Sequence, residues 1–146
     1  MGELTDKYNV LITVHTWTEK NKIEKLKKIK DAIFLNKFDV TPYIMLSDVF
    51  VGDYNSLIGE ACALDKPIVT FRVPDSSRTI KEVRNMISRI SIQIDTFDEI
   101  NNALEKSLQF PDAKKEERAK ANQIMYLALD GNAGKRAADE ILKLLQ

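Results

Sequence analysis

The chain has 146 residues, the size of one ordinary globular domain, so a core can form without disulfides or a structural metal. Its 22 Lys and Arg are balanced by 22 Asp and Glu, which gives no global field for gathering nucleic acid or an acidic membrane surface. A single cysteine excludes an intrachain disulfide, a single histidine beside it leaves no plausible zinc set, and no apolar run reaches the ~20 residues of a membrane-spanning helix.

The opening residues Met1-Gly2-Glu3-Leu4-Thr5-Asp6 lack a signal-peptide core. Asp6 stands where a myristoylation signal has Ser or Thr, so the segment reads as a short linker in a soluble chain. Val10-Leu11-Ile12-Thr13-Val14 is a β-branched, apolar run and reads as a buried strand ending at His15. Ile23, Leu26, Ile29 and Ile33 then recur at helical spacing with lysines between them, which predicts a helix over 20–34 with a solvated basic face.

Thr41-Pro42 predicts a helix start, Thr as cap and Pro at the first helical position, with Ser47 closing the helix. Residues 48–52 read as a second strand, residues 53–56 as a polar loop, and residues 57–64 as a helix broken by Asp65-Lys66-Pro67. Cys62 lies within that apolar helix and reads as a small core residue, not a nucleophile. Residues 68–71 are a third strand, 80–90 a helix and 91–94 a fourth strand. Thr96-Phe97-Asp98-Glu99 is a capping box that opens a helix to about residue 108. Residues 114–129 and 134–145 read as two helices parted by Asp130-Gly131-Asn132.

Short strands, apolar throughout, alternate with helices from residue 10 to residue 108. That pattern predicts an α/β fold: a Rossmann-like parallel sheet with helices on both faces, residues 1–146 forming one domain.

Open parallel sheets bind ligands at the carboxyl ends of their strands. Two such ends carry polar residues here, His15-Thr16 and Asp53-Tyr54-Asn55-Ser56. At the second, Gly52 permits a tight turn, Asn55 and Ser56 stand where a helix begins, and the first-turn N–H groups are expected to point outward at a phosphate. Glu60, one turn deeper on the same face as Ser56, can accept hydrogen bonds from two ribose hydroxyls. Ser or Asn at a helix start is ordinarily only a cap, so spacing alone leaves nucleotide binding open. His15 can bind a diphosphate oxygen and stabilise charge on a leaving nucleotide, or serve as a hydrogen-bonded structural residue. Residues 130–136 superficially resemble a P-loop but lack its spacing, its Ser or Thr after Lys, and a preceding strand. Arg72, Arg78 and Arg84 follow the third strand, where they can meet phosphates.

At these residues the chain resembles a known family. Ser47-Asp48-Val49-Phe50-Val51-Gly52-Asp53-Tyr54-Asn55-Ser56-Leu57 followed by Lys66-Pro67-Ile68 is similar to the signature SDxxITDYSS…(K/R)PI of CDP-glycerol glycerophosphotransferases, which polymerise or prime teichoic acid chains. The strand ending at His15 resembles that family's strand–His–Pro motif, and Asp130-Gly131 with Arg136 its DG…R tail. Asn55 replaces the first Ser of the pair, Thr16 replaces the Pro after His, and the family's RGFY segment is not evident after the third strand.

The resemblance implies the carboxyl-terminal, donor-binding half of a GT-B architecture. It implies His15 as the catalytic group at the diphosphate, and Asp53, Tyr54, Asn55, Ser56, Glu60 and Arg78 as substrate-binding residues. It implies a nucleotide-activated donor, CDP-glycerol or a nucleotide sugar, with no cofactor, no metal and no nucleic acid partner. The partner it implies is the amino-terminal GT-B half, which carries the base, so that the chain is a transferase fragment, inactive alone. It implies a cytoplasmic setting, with peripheral contact of the whole enzyme at the inner face of the cell membrane. UDP-N-acetylglucosamine 2-epimerases, with DSGGxxEE…GKP at the same place, fit Asp53, Glu60, Lys66 and Pro67 as well. Other GT-B glycosyltransferases and a non-catalytic nucleotide-binding domain also remain as readings.

Overall fold

A computed structural model describes residues 2–72 and 80–145. The contacts gather into two compact units, Met1–Ser47 and Asp48–Gln146. Both are built from parallel strands with helices around them, a Rossmann-like α/β fold.

The first unit holds α1 (Gly2–Thr5), β1 (Val10–Ile12), α2 (Lys20–Leu26), β2 (Ala32–Phe34) and α3 (Thr41–Leu46). β1 and β2 pair in parallel, with Leu11 opposite Ile33. The expected helix over 20–34 stops at Leu26. Asp31 takes a left-handed φ of 59°, the chain turns, and the rest of the presumed stripe becomes β2. Ile23, Leu26, Ile29 and Ile33 happen to fall at helical spacing, but the hydrogen bonds offered by β1 compete with helix and prevail for the short run Ala-Ile-Phe. Leu35 N–H continues the ladder to Ile12 C=O at 2.8 Å. In α3 the cap position belongs to Val40, not Thr41. Asp39 Oδ1 accepts the Thr41 N–H at 3.0 Å, an acceptor Val40 lacks, and Pro42 sits in the first turn as expected.

The second unit holds β3 (Phe50–Gly52), α4 (Leu57–Ala63), β4 (Ile68–Phe71), α5 (Lys81–Ile90), β5 (Ile92–Ile94), a 3-10 turn (Phe97–Glu99), α6 (Ile100–Gln109), α7 (Lys115–Met125) and α8 (Ala133–Lys143). Its three parallel strands lie in the order β3-β4-β5, so among the described residues the strands form two sheets. Ile68, Val69 and Thr70 are consecutive and all buried, so the middle strand is covered on both faces. α4 packs on β3 and β4, α6 on β4 and β5, and α7 bridges α4 and α5. The capping box forms as the sequence predicts, Thr96 with Glu99. Under β4, Ser91 donates its only hydroxyl proton to Ile87 C=O at 2.7 Å. The 2.7 Å contact between the Thr70 and Ser91 hydroxyls is therefore donated by Thr70.

The carboxyl end of α4 is locked. Asp65 adopts a left-handed φ of 53°, and the N–H groups of Asp65 and Lys66 bond back to Cys62 and Ala61 at 3.0 and 2.9 Å, the Schellman pattern usually built on glycine. Asp stands there because its carboxylate has a partner. Arg118 of α7, 2% exposed, donates Nε to Asp65 Oδ1 at 2.7 Å and a terminal nitrogen to Pro111 C=O at 3.0 Å. Beside it, burial pushes the Cys62 thiol up to about 11, so it is an inert core group.

Candidate functional site

β3 ends at Gly52, and the polar loop of residues 53–56 leads into α4. Glycine at 52 answers a need for space, not for a left-handed backbone. A Cβ there would lie 2.9 Å from the Phe50 ring and 3.3 Å from Asn55 Nδ2. Asn55 organises the loop. Its Nδ2 donates to Asp53 Oδ1 at 2.8 Å and to Asp53 C=O at 3.2 Å, while its Oδ1 accepts the Leu57 N–H at 2.9 Å. The N–H groups of Ile58 and Gly59 bond to Asn55 and Ser56 carbonyls at 3.3 and 3.0 Å. The first-turn donors expected to face a phosphate are thus partnered within the chain.

Ser56 is different. It holds the cap position of α4 but makes no side-chain cap bond, and it is exposed. Tyr54, half-buried, accepts a hydrogen bond from Gln93 Nε2 of β5 at 2.8 Å. Glu60, also half-buried, lies in the first turn of α4. The Tyr126 hydroxyl lies 2.8 Å from where a Cβ on Gly59 would be, and the Tyr126 phenol is raised above its usual range by burial first, then by the charges of Cys62 and Glu60.

His15 lies in the first unit and is exposed. Its Nδ1 accepts the Trp17 N–H at 3.2 Å, its carbonyl accepts the Thr18 N–H at 2.9 Å, and its ring meets the Trp17 ring edge-on with centroids 5.1 Å apart. With Nδ1 an acceptor, the neutral ring carries its proton on Nε2, which has no partner among the described residues. The ring therefore presents a donor outward in either protonation state.

The model of the CDP-Glycerol:Poly(glycerophosphate) glycerophosphotransferase family matches residues 1–143. The chain belongs to this family. No curated protein and no solved structure matches it. Membership makes it a transferase of glycerophosphate, of the teichoic acid type, acting on a nucleotide-activated donor.

In this glycerophosphotransferase chain the structure brings Asp53, Tyr54, Asn55, Ser56 and Glu60 together at one loop and helix. Arg78 lies outside the described residues. Arg72 is paired with Asp95 at 2.9 Å across the ends of β4 and β5, and Arg84 lies within α5. The family-like tail is a folded turn. Gly131 has φ 74°, and Arg136 holds both Asp130 carboxylate oxygens at 3.0 and 2.8 Å. The Asn132 N–H first, then the Arg136 guanidinium, hold the Asp130 carboxyl below its usual range. Gln93 escaped the sequence reading. Its one signal was a lone polar residue inside the apolar run Ile92-Gln93-Ile94. Among the described residues no helix is long and apolar enough to cross a membrane.

Proposed function

We propose that this chain is the donor-binding, carboxyl-terminal-type half of a GT-B glycerophosphotransferase, that residues 1–146 act as one domain, and that its donor is CDP-glycerol. The observation that supports the reading is the family match over residues 1–143, together with the folding of the signature segment 47–68 as strand, polar loop, helix and strand. The loop stands at the carboxyl end of β3, where α/β sheets place their ligands.

In this reading Ser56 donates to a donor phosphate oxygen and Glu60 accepts from the ribose hydroxyls. Asp53 and Asn55 fix the loop instead of touching the anion. Arg78 is a further substrate contact, carried by the resemblance alone. His15 serves the diphosphate through Nε2 and is the group proposed to stabilise the leaving nucleotide. The acceptor hydroxyl oxygen forms a bond to the β-phosphorus, and the bond from that phosphorus to the bridging oxygen breaks. CMP leaves with the electron pair, and the acceptor proton passes to a base outside this chain. Such transfers depend mostly on positioning and charge stabilisation.

Calorimetric titration with CDP-glycerol, CDP, UDP and UDP-N-acetylglucosamine tests the reading. Cytidine ligands should bind preferentially, and Ser56→Ala and His15→Ala should each weaken CDP-glycerol by about tenfold, the worth of one charge-assisted hydrogen bond. Preference for uridine ligands, or unchanged affinity in both variants, overturns it.

A further inference from the structure

We infer that Gln93 is a positioning residue that sets the phenol of Tyr54 as a hydrogen-bond donor to the donor phosphates; this rests on the donor reading above. Gly52, Thr70 and Gln93 occupy one cross-strand row, since Gly52 pairs with Thr70 and Thr70 with Gln93. Their side chains therefore belong to one face of the sheet. The row spans two strand spacings, about 10 Å at 4.8 Å each. Gly52 contributes no side chain to it, and Thr70 is committed to Ser91. Gln93 is the row's remaining polar group, and it meets the loop from the far strand.

The direction of the bond decides the chemistry. A phenol oxygen can accept and donate at once. Gln93 Nε2 donates to Tyr54 Oη at 2.8 Å, so the acceptor capacity of the oxygen is used, while among the described residues its own proton has no acceptor. A half-buried phenol held this way keeps an O–H to donate; the same loop carries the exposed Ser56 hydroxyl, and the backbone donors of the following helical turn, Leu57, Ile58 and Gly59, are already taken. Two hydroxyl donors then take the place of the N–H groups that a helix mouth would otherwise offer an anion.

Four variants of the full chain test this: Gln93→Leu, Gln93→Glu, Tyr54→Phe and the double variant of Gln93→Leu with Tyr54→Phe, each titrated with CDP and each followed by amide hydrogen exchange in residues 53–57. Tyr54→Phe should weaken CDP about tenfold. Gln93→Leu should weaken it about threefold and speed loop exchange, yet add nothing to Tyr54→Phe in the double variant. Gln93→Glu keeps a partner for the phenol but turns the bond around, so that Tyr54 donates to the carboxylate. It should keep the loop protected while losing CDP affinity at least as far as Tyr54→Phe. Equal effects of Gln93→Leu with and without the Tyr54 hydroxyl, or full CDP affinity in Gln93→Glu, overturn the inference. Failure of the unaltered chain to bind CDP overturns the donor reading instead. Loop exchange then decides the tether alone, and unchanged exchange in Gln93→Leu sinks it.

Discussion

The two ends of α4 are both built on aspartate, and they do opposite things. At the carboxyl end Asp65 bends into a left-handed conformation and is gripped by the buried guanidinium of Arg118, in a neighbourhood that includes Cys62 and Asn122. At the amino end Asp53 is exposed and, among the described residues, its side chain holds only Asn55 and the Ser56 hydroxyl makes no cap bond. One end is fastened by contacts more than fifty residues away in sequence; the other is arranged almost wholly by its own neighbours. A short helix can offer reactive groups at one end because the other end is anchored to the core.

If that division holds, variants at the two ends should separate cleanly. The largest effect is expected from Arg118→Ala, which removes the tie to Asp65 and Pro111 and leaves a cavity. Urea unfolding should show a loss of about 3 kcal/mol, the range for breaking a buried pair. Asp65→Ala should cost nearly as much, since it strands Arg118. Asp65→Gly should cost about 1 kcal/mol less than Asp65→Ala because glycine accepts the left-handed backbone. Equal losses for the two would show that the ion pair, not the backbone, sets the choice of residue. Gly52→Ala should cost about 1–2 kcal/mol, because the new methyl meets the Phe50 ring and presses on Asn55, with CDP affinity falling alongside. Ser56→Ala should change stability by under about 0.5 kcal/mol, as for surface sites, while affecting the ligand; a large stability loss would erase the contrast.

A pH series sharpens the buried side of the comparison. The Cys62 thiol titrates near 9.0 when unfolded and is pushed up to about 11 by burial. Below pH 9 it is neutral in both states. Between pH 9 and about 11 only the unfolded chain ionises, so stability falls as pH rises through that window. Cys62→Ala should flatten this part of the urea-derived stability profile relative to the unaltered chain.

The sequence was legible where structure is local. Residues 68–71 form the expected strand because a short, continuous, β-branched and apolar run suits a strand covered on both faces, and Thr96 with Glu99 forms the expected box because its partners lie three positions apart. It misled where two short-range patterns overlapped, as at Ile29 and Ile33, whose helical spacing concealed a turn at Asp31 and the strand beyond it. It was silent on partners fixed only by the fold. Nothing near Tyr54 announces Gln93 thirty-nine positions away, and nothing near Asp65 announces Arg118 at fifty-three. In the loop of residues 53–56 the residue types marked a candidate place, but which of them were already occupied had to come from the geometry.

The hydroxyl relay beneath β4 has a consequence for how this chain can change over time. Because Thr70 gives its proton to Ser91 and Ser91 gives its own to Ile87, the two positions are not equivalent steps for mutation. Replacing Thr70 by Val leaves Ser91 satisfied, whereas replacing Ser91 by Ala strands a fully buried hydroxyl on Thr70. A lineage that trades this polar pair for an apolar one therefore has a passable route in one order and a barrier in the other.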